Sequence, residues 1–311
     1  MLPRRTIVQF AALVALLGAL PANAQSGDKA PDKLRVVATF SILADLVRNV
    51  GGERIEVASL VGPNGDAHAY TPTPGDARTL AAAKVVVVNG LGFEGWLTRL
   101  VKASGTKALT VVASSGIKVR RRADAHGHGR GHGGDHGAAD PHAWQSVANA
   151  KIYVANIRSG LIAADPDGKS VYEANAAAYL DRLDMLEREL REAIARIPAD
   201  RRRVITTHDS FGYFSDAYGI EFISPGVSTE VEPSAKDLAR IIARIKRQKI
   251  PAVFLENITD PRMMQQIARE TGAKIGGTLY SDALSEPDGP AGSYIELMRN
   301  NIRELSKALT A

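Results

Sequence analysis

The chain is 311 residues long, with 39 Lys and Arg against 34 Asp and Glu and no cysteine. The basic residues are scattered through amphipathic segments such as Lys236 to Lys249, which excludes a phosphate-binding stripe for nucleic acid, and the missing cysteine excludes a disulfide-stapled fold. Stability must come from packed cores, and a chain of this length is enough for two domains, each with its own core. The first predicted element is a leader. Arg4 and Arg5 precede an apolar run from Ile7 to Leu20, and Ala22-Asn23-Ala24 has the small-x-small form of a signal-peptidase site, so residues 1–24 are expected to be removed after Ala24. The apolar run is shorter than the roughly 20 residues of a membrane-spanning helix. Removal takes two arginines and no acid, leaving 37 basic against 34 acidic residues, net +3. Without a cysteine to carry lipid, the expectation is a protein free in a periplasm.

From Leu34 onward short β-branched runs alternate with helical patterns: a strand at 34–38, a helix near 42–50, a strand at 55–61, a strand at 84–89, a helix near 95–103 and a strand at 108–113. Near-continuous apolar strands such as Val85-Val86-Val87-Val88 read as buried on both faces, the mark of a parallel α/β sheet. The alternation restarts at 203–207 and continues through strands at 252–255 and 274–279. Two α/β lobes are predicted, the first over 33–166 and the second over 198–311, joined by one long helix over 167–197 with Pro166 at its start and Pro198 at its end. A pair of shorter helices with a break is the alternative for that stretch.

Between the first lobe's strands and the long helix, the segment 122–138 contains His126, His128, His132 and His136 among glycines. It has nothing apolar to bury and predicts a disordered loop. Its imidazoles suit weak auxiliary zinc capture or contact with a zinc-delivering partner such as a metallochaperone; a tolerated surface insertion is the plainer alternative.

The three remaining histidines, His68, His142 and His208, each sit in a loop after a predicted strand or before a helix, and Asp282 directly follows the strand at 274–279. In open α/β sheets the carboxyl ends of strands form the ligand crevice, so residues far apart in sequence can converge there. Three imidazoles and one carboxylate make the four-coordinate, nitrogen-rich set that Zn²⁺ favours. Taken singly, each histidine is more simply a satisfied structural residue, and Asp282 a helix cap. Asp209 and Glu230 are candidates to orient the ligating imidazoles as hydrogen-bond acceptors, with a helix-capping role for Asp209 as the equal alternative. Tyr70 and Trp144 are candidates to pack around the cleft, with ordinary core packing the plainer reading, and Glu256 to face it or bridge the lobes.

The motifs Asp66-Ala67-His68-Ala69-Tyr70-Thr71-Pro72-Thr73-Pro74, Asn89-Gly90-Leu91-Gly92-Phe93-Glu94, Asp140-Pro141-His142-Ala143-Trp144, His208-Asp209-Ser210-Phe211-Gly212-Tyr213-Phe214 and Tyr280-Ser281-Asp282 resemble, in order, those of the metal-binding components of zinc and manganese ABC importers. The resemblance implies two α/β lobes joined by a backbone helix, a metal in the cleft, and His68, His142, His208 and Asp282 as its ligands. It also implies a membrane permease as partner. Members that carry manganese place a carboxylate at the third ligand position and zinc carriers a histidine, so His208 points to the zinc type, similar to ZnuA; the missing cysteines are closer to the AztC subgroup. The expected protein is a monomeric zinc carrier. A manganese or iron carrier of the same fold is one alternative. A zinc hydrolase is another, disfavoured because four protein ligands leave no position for a nucleophilic water and no His-Glu-x-x-His helix is present.

Overall fold

A computed structural model describes residues 33–122, 138–225, 229 and 233–310. The leader, the four loop histidines and Glu230 lie outside the described residues. In chain order the elements are β1 (Leu34–Phe40), α1 (Ser41–Gly51), β2 (Ile55–Val61), α2 (Pro74–Ala82), β3 (Val85–Val88), α3 (Leu97–Ser104), β4 (Leu109–Val112), α4 (Val147–Ala164), α5 (Lys169–Ala195), β5 (Arg203–Ile205), α6 (Gly212–Tyr218), β6 (Glu221–Ile223), α7 (Ala235–Gln248), β7 (Ala252–Glu256), α8 (Arg262–Thr271), β8 (Lys274–Leu279) and α9 (Tyr294–Thr310).

The strands form two four-stranded parallel sheets, ordered β2-β1-β3-β4 and β6-β5-β7-β8. Both sheets therefore use the same wiring, in which strand order reverses between the first and third strands. That reversal opens a crevice at the carboxyl ends of β1 and β3 in one lobe and of β5 and β7 in the other. β6 has no counterpart in the sequence reading. Three residues on a sheet edge are too few to set up a recognisable alternation, and only pairing with β5 makes them a strand.

α5 is one unbroken helix of 27 residues, about 40 Å at 1.5 Å per residue. Its buried residues, Tyr172, Ala176, Tyr179, Leu183, Leu186, Leu190 and Ile194, recur every three or four positions and make one stripe. α1, α4 and α9 pack against the helix, and Arg299 of α9 holds Glu189 of α5 with two bonds of 2.8 and 2.9 Å.

The expectation of two separate cores is corrected. A single cluster runs from β1 and β3 through α4, α5 and α9 to Val204, Ala252, Phe254 and Leu279 of the second sheet. Among the described residues, the outer face of that sheet has its own cluster, with Ile205, Ile223, Val253, Ile241, Ile245, Met264 and Ile267. The division follows the pleat: successive residues of a strand point to opposite faces, so Val204 joins the shared core and Ile205 the outer one.

Candidate metal centre

Four polar side chains converge where the two crevices face each other. His68, His142, His208 and Asp282 each offer one donor atom, and these atoms all lie within 4.8 Å of one another. His68 Nε2 is 3.1 Å from His142 Nε2, and Asp282 Oδ2 is 3.1 Å from His208 Nε2, 3.3 Å from His68 Nε2 and 3.6 Å from His142 Nε2. Tetrahedral bonds of about 2.0–2.1 Å give donor-to-donor edges of roughly 3.3 Å. The donors thus stand at the corners of a cage sized for one ion. Asp282 Oδ1 is buried with no hydrogen-bond partner among the described residues, a position that carries a free-energy penalty unless a cation compensates it.

Each donor is placed by its local structure. His68 sits in the turn after β2, where Asp66 Oδ1 accepts from the backbone N–H of His68 at 2.8 Å and Trp96 Nε1 donates to the Ala67 carbonyl at 2.8 Å. Its ring stands edge-on to Phe93, with centroids 4.6 Å apart. His142 is fully buried in the loop before α4. Asp140 Oδ1 accepts from the His142 N–H at 3.1 Å and lies 2.8 Å from its Nδ1. Asn89 holds this loop by donating to the Pro141 carbonyl at 2.9 Å, and is itself held by the Tyr153 hydroxyl at 2.6 Å.

His208 follows β5, beside β7. Glu256, the last residue of β7, lies 2.7 Å from His208 Nδ1 through Oε2, while its Oε1 accepts from the backbone N–H groups of Thr207 at 2.7 Å and His208 at 3.0 Å. Glu256 thus faces Nδ1 at ion-pair distance, and Nε2 on the other side of the ring faces Asp282. Trp144 walls the site as expected, donating from Nε1 to the Ser281 carbonyl at 2.9 Å with its ring 5.4 Å from that of His142. Tyr70 packs on Trp96 and donates to Asp76.

The charges fit a cation. Burial pushes the Asp282 carboxyl up, but the His142 and His208 rings outweigh it and hold the group well below the usual carboxylate range. Burial alone would lower the two buried imidazoles. For His208, Glu256 and Asp282 overcome that effect and raise it well above its ordinary value, and for His142, Asp282 and Asp140 raise it above its ordinary value. These directions favour positive charge in the cage, for which protons would compete with a metal.

The structure assigns the orienting carboxylates differently from the sequence reading. Among the described residues, which do not include Glu230, they are Asp140 and Glu256. The Asp209 carboxylate instead lies 4.0 Å from the Arg122 guanidinium, and α6 begins at an N-cap of Phe211 that makes no side-chain cap bond. The signal for Asp140 was present, a carboxylate two residues before a histidine across a proline. That for Glu256 was its place at the end of a strand neighbouring the one before His208. A cleft of about 760 Å³, lined in part by Asp66, Thr207 and Thr259, reaches His208 from outside.

Two parallel α/β lobes on a shared spine with a three-histidine, one-aspartate cage between them define a substrate-binding protein for a metal ion. Residues 36–308 match the sequence profile of the family described as zinc-uptake complex component A, periplasmic. The chain is 33% identical to the manganese ABC transporter substrate-binding lipoprotein PsaA of Streptococcus pneumoniae, covering 96% of this chain and 97% of that one. It is 32% identical to the iron-binding protein YfeA of Yersinia pestis, covering 97% and 94%. The solved periplasmic zinc-binding protein TroA of Treponema pallidum superposes with a TM-score of 0.82 at 31% identity, covering 90% of this chain and all of that one. The chain belongs to this ZnuA family of metal-binding components of ABC importers, and so works with a membrane permease and its ATPase in transport.

Two expectations change with these relatives. Manganese, iron and zinc all occur in their names, so membership of the family does not carry the zinc type. The expectation of a protein without a lipid anchor is corrected, because relatives that match over nearly the whole chain are named lipoproteins.

Proposed function

We propose that His68, His142, His208 and Asp282 hold one first-row divalent metal ion as cargo for an ABC importer. The observation that carries this reading is the set of donor separations of 3.1–3.6 Å around the Asp282 oxygen, which match the edges of a coordination tetrahedron. Three imidazoles favour zinc by donor chemistry, since manganese prefers oxygen ligands. Manganese or iron carriage is the second reading, and the names of the relatives favour it over zinc.

Titration of the purified chain against a chromophoric chelator should give one ion per chain, with a rise in Tm that EDTA reverses; at 100 times Kd the gain is about 2.7 kcal/mol. Binding with no fixed stoichiometry would remove the reading. Nitrogen-rich sites hold zinc more tightly than manganese in any case, so affinity alone does not identify the cargo. The ion retained by the chain isolated from its own host, grown with zinc, manganese and iron at equal supply, separates the two readings. His208→Asp should weaken zinc while leaving manganese the less affected.

A further inference from the structure

Beside the cage, outside its four donors, stands a cation. Arg122 Nη2 lies 3.3 Å from His142 Nδ1 and 3.4 Å from the Asp209 carbonyl, in a side chain 17% exposed. Its backbone is fixed: the Arg122 N–H donates to the Ala138 carbonyl at 2.9 Å, and the Asp140 N–H donates to the Arg120 carbonyl at 2.8 Å. Asp140, which orients His142, is consequently shared. One oxygen faces the imidazole at 2.8 Å, and the other takes Arg120 Nη1 at 3.2 Å. Glu256 is different. It is buried, it accepts from two backbone N–H groups, and among the described residues its ion-pair partner is His208.

A guanidinium cannot lose its proton in a protein. Beside a bound divalent ion it adds a fixed repulsion, while the neighbouring Arg120 draws on the Asp140 carboxylate and leaves His142 a less basic donor. Both effects act in the direction of release. We propose that Arg122 tunes the release of the ion: its permanent charge holds affinity below what the four donors alone would reach and sets the dissociation rate through the His142 side of the cage. The proposal rests on the four-ligand reading above. A carrier that must surrender its cargo has use for such a charge.

The test uses zinc as probe and the full chain. Arg122→Gln should bind zinc about tenfold more tightly and release it about tenfold more slowly to excess EDTA in a stopped-flow measurement, the scale expected for removing a unit charge near a divalent ion. Arg122→Lys, which restores the charge, should return both values toward wild type. A residue that merely packs would weaken binding when changed to Gln. Affinity unchanged or weaker in Arg122→Gln, with native circular dichroism, overturns the proposal; if that variant does not fold, Arg122→Met carries the same expectation. His208→Ala run alongside keeps the two readings apart. Wild-type binding that His208→Ala leaves intact sinks the cage itself, whereas loss in His208→Ala without a gain in Arg122→Gln sinks only the role of Arg122.

Discussion

The two lobes share one sheet wiring but treat their histidines differently. In the second lobe His208 is held by Glu256, a buried carboxylate engaged by two backbone N–H groups from the strand end it faces. In the first, the partner of His142 is divided between the imidazole and Arg120, with Arg122 close by, and His68 is placed by its turn and by Phe93. A cleft site built from two lobes can thus be firm on one side and yielding on the other, which suits a protein that must both capture and surrender an ion.

The largest effects should come from the donors themselves. Asp282→Asn removes the oxygen on which all three imidazoles converge and should weaken zinc by more than the roughly 10–100-fold that loss of an orienting partner costs. A variant that keeps wild-type affinity in chelator competition would take Asp282 out of the cage. Next are the orienting carboxylates. Glu256→Gln should cost about 10–100-fold, and Asp140→Asn should fall at the lower end of that range because arginine already draws on Asp140; equal losses by isothermal titration would erase the contrast between the lobes.

Acidity provides a further test. The raised His142 and His208 values mean that the metal-free cage holds protons above the ordinary imidazole value of about 6.5. Stability from those protonated rings is present below the unfolded value and is lost as pH rises through the higher folded value, while metal binding gains as the rings deprotonate. The rise in Tm on adding zinc should therefore grow from pH 6 to pH 8, and a flat dependence would count against imidazole ligation. The smallest effect should come from the rim of the cleft, where Asn257 Nδ2 donates to Asn64 Oδ1 at 3.1 Å and ties the turn that leads to His68 to the second lobe. Asn257→Ala should speed zinc dissociation by only a few-fold, on the order of one lost hydrogen bond.

The strand and helix pattern, the long helix and the four candidate ligands were readable along the chain. Val85 to Val88 show a strand buried on both faces, and the three histidines outside the glycine-rich segment all fall at strand ends or before a helix. The shared core was not readable, because whether Val204 and Phe254 join the spine depends on which face of the second sheet meets α9, and nothing local to either strand says so. β6 was missed for lack of length.

What the sequence by itself determined was the inventory: two alternating α/β units, a helix between them and four donors of the right chemistry, because hydrophobic period and side-chain type are local properties of a chain. What only the tertiary structure decided was distance. That Asp140 and Glu256, not Asp209, face the imidazoles, and that Arg122 stands beside His142, follows from how strand ends and loops meet across the cleft. The meetings of Glu256 with His208 and of Arg122 with Asp209 join residues dozens of positions apart, which no local pattern records, whereas Asp140 stands only two residues before His142.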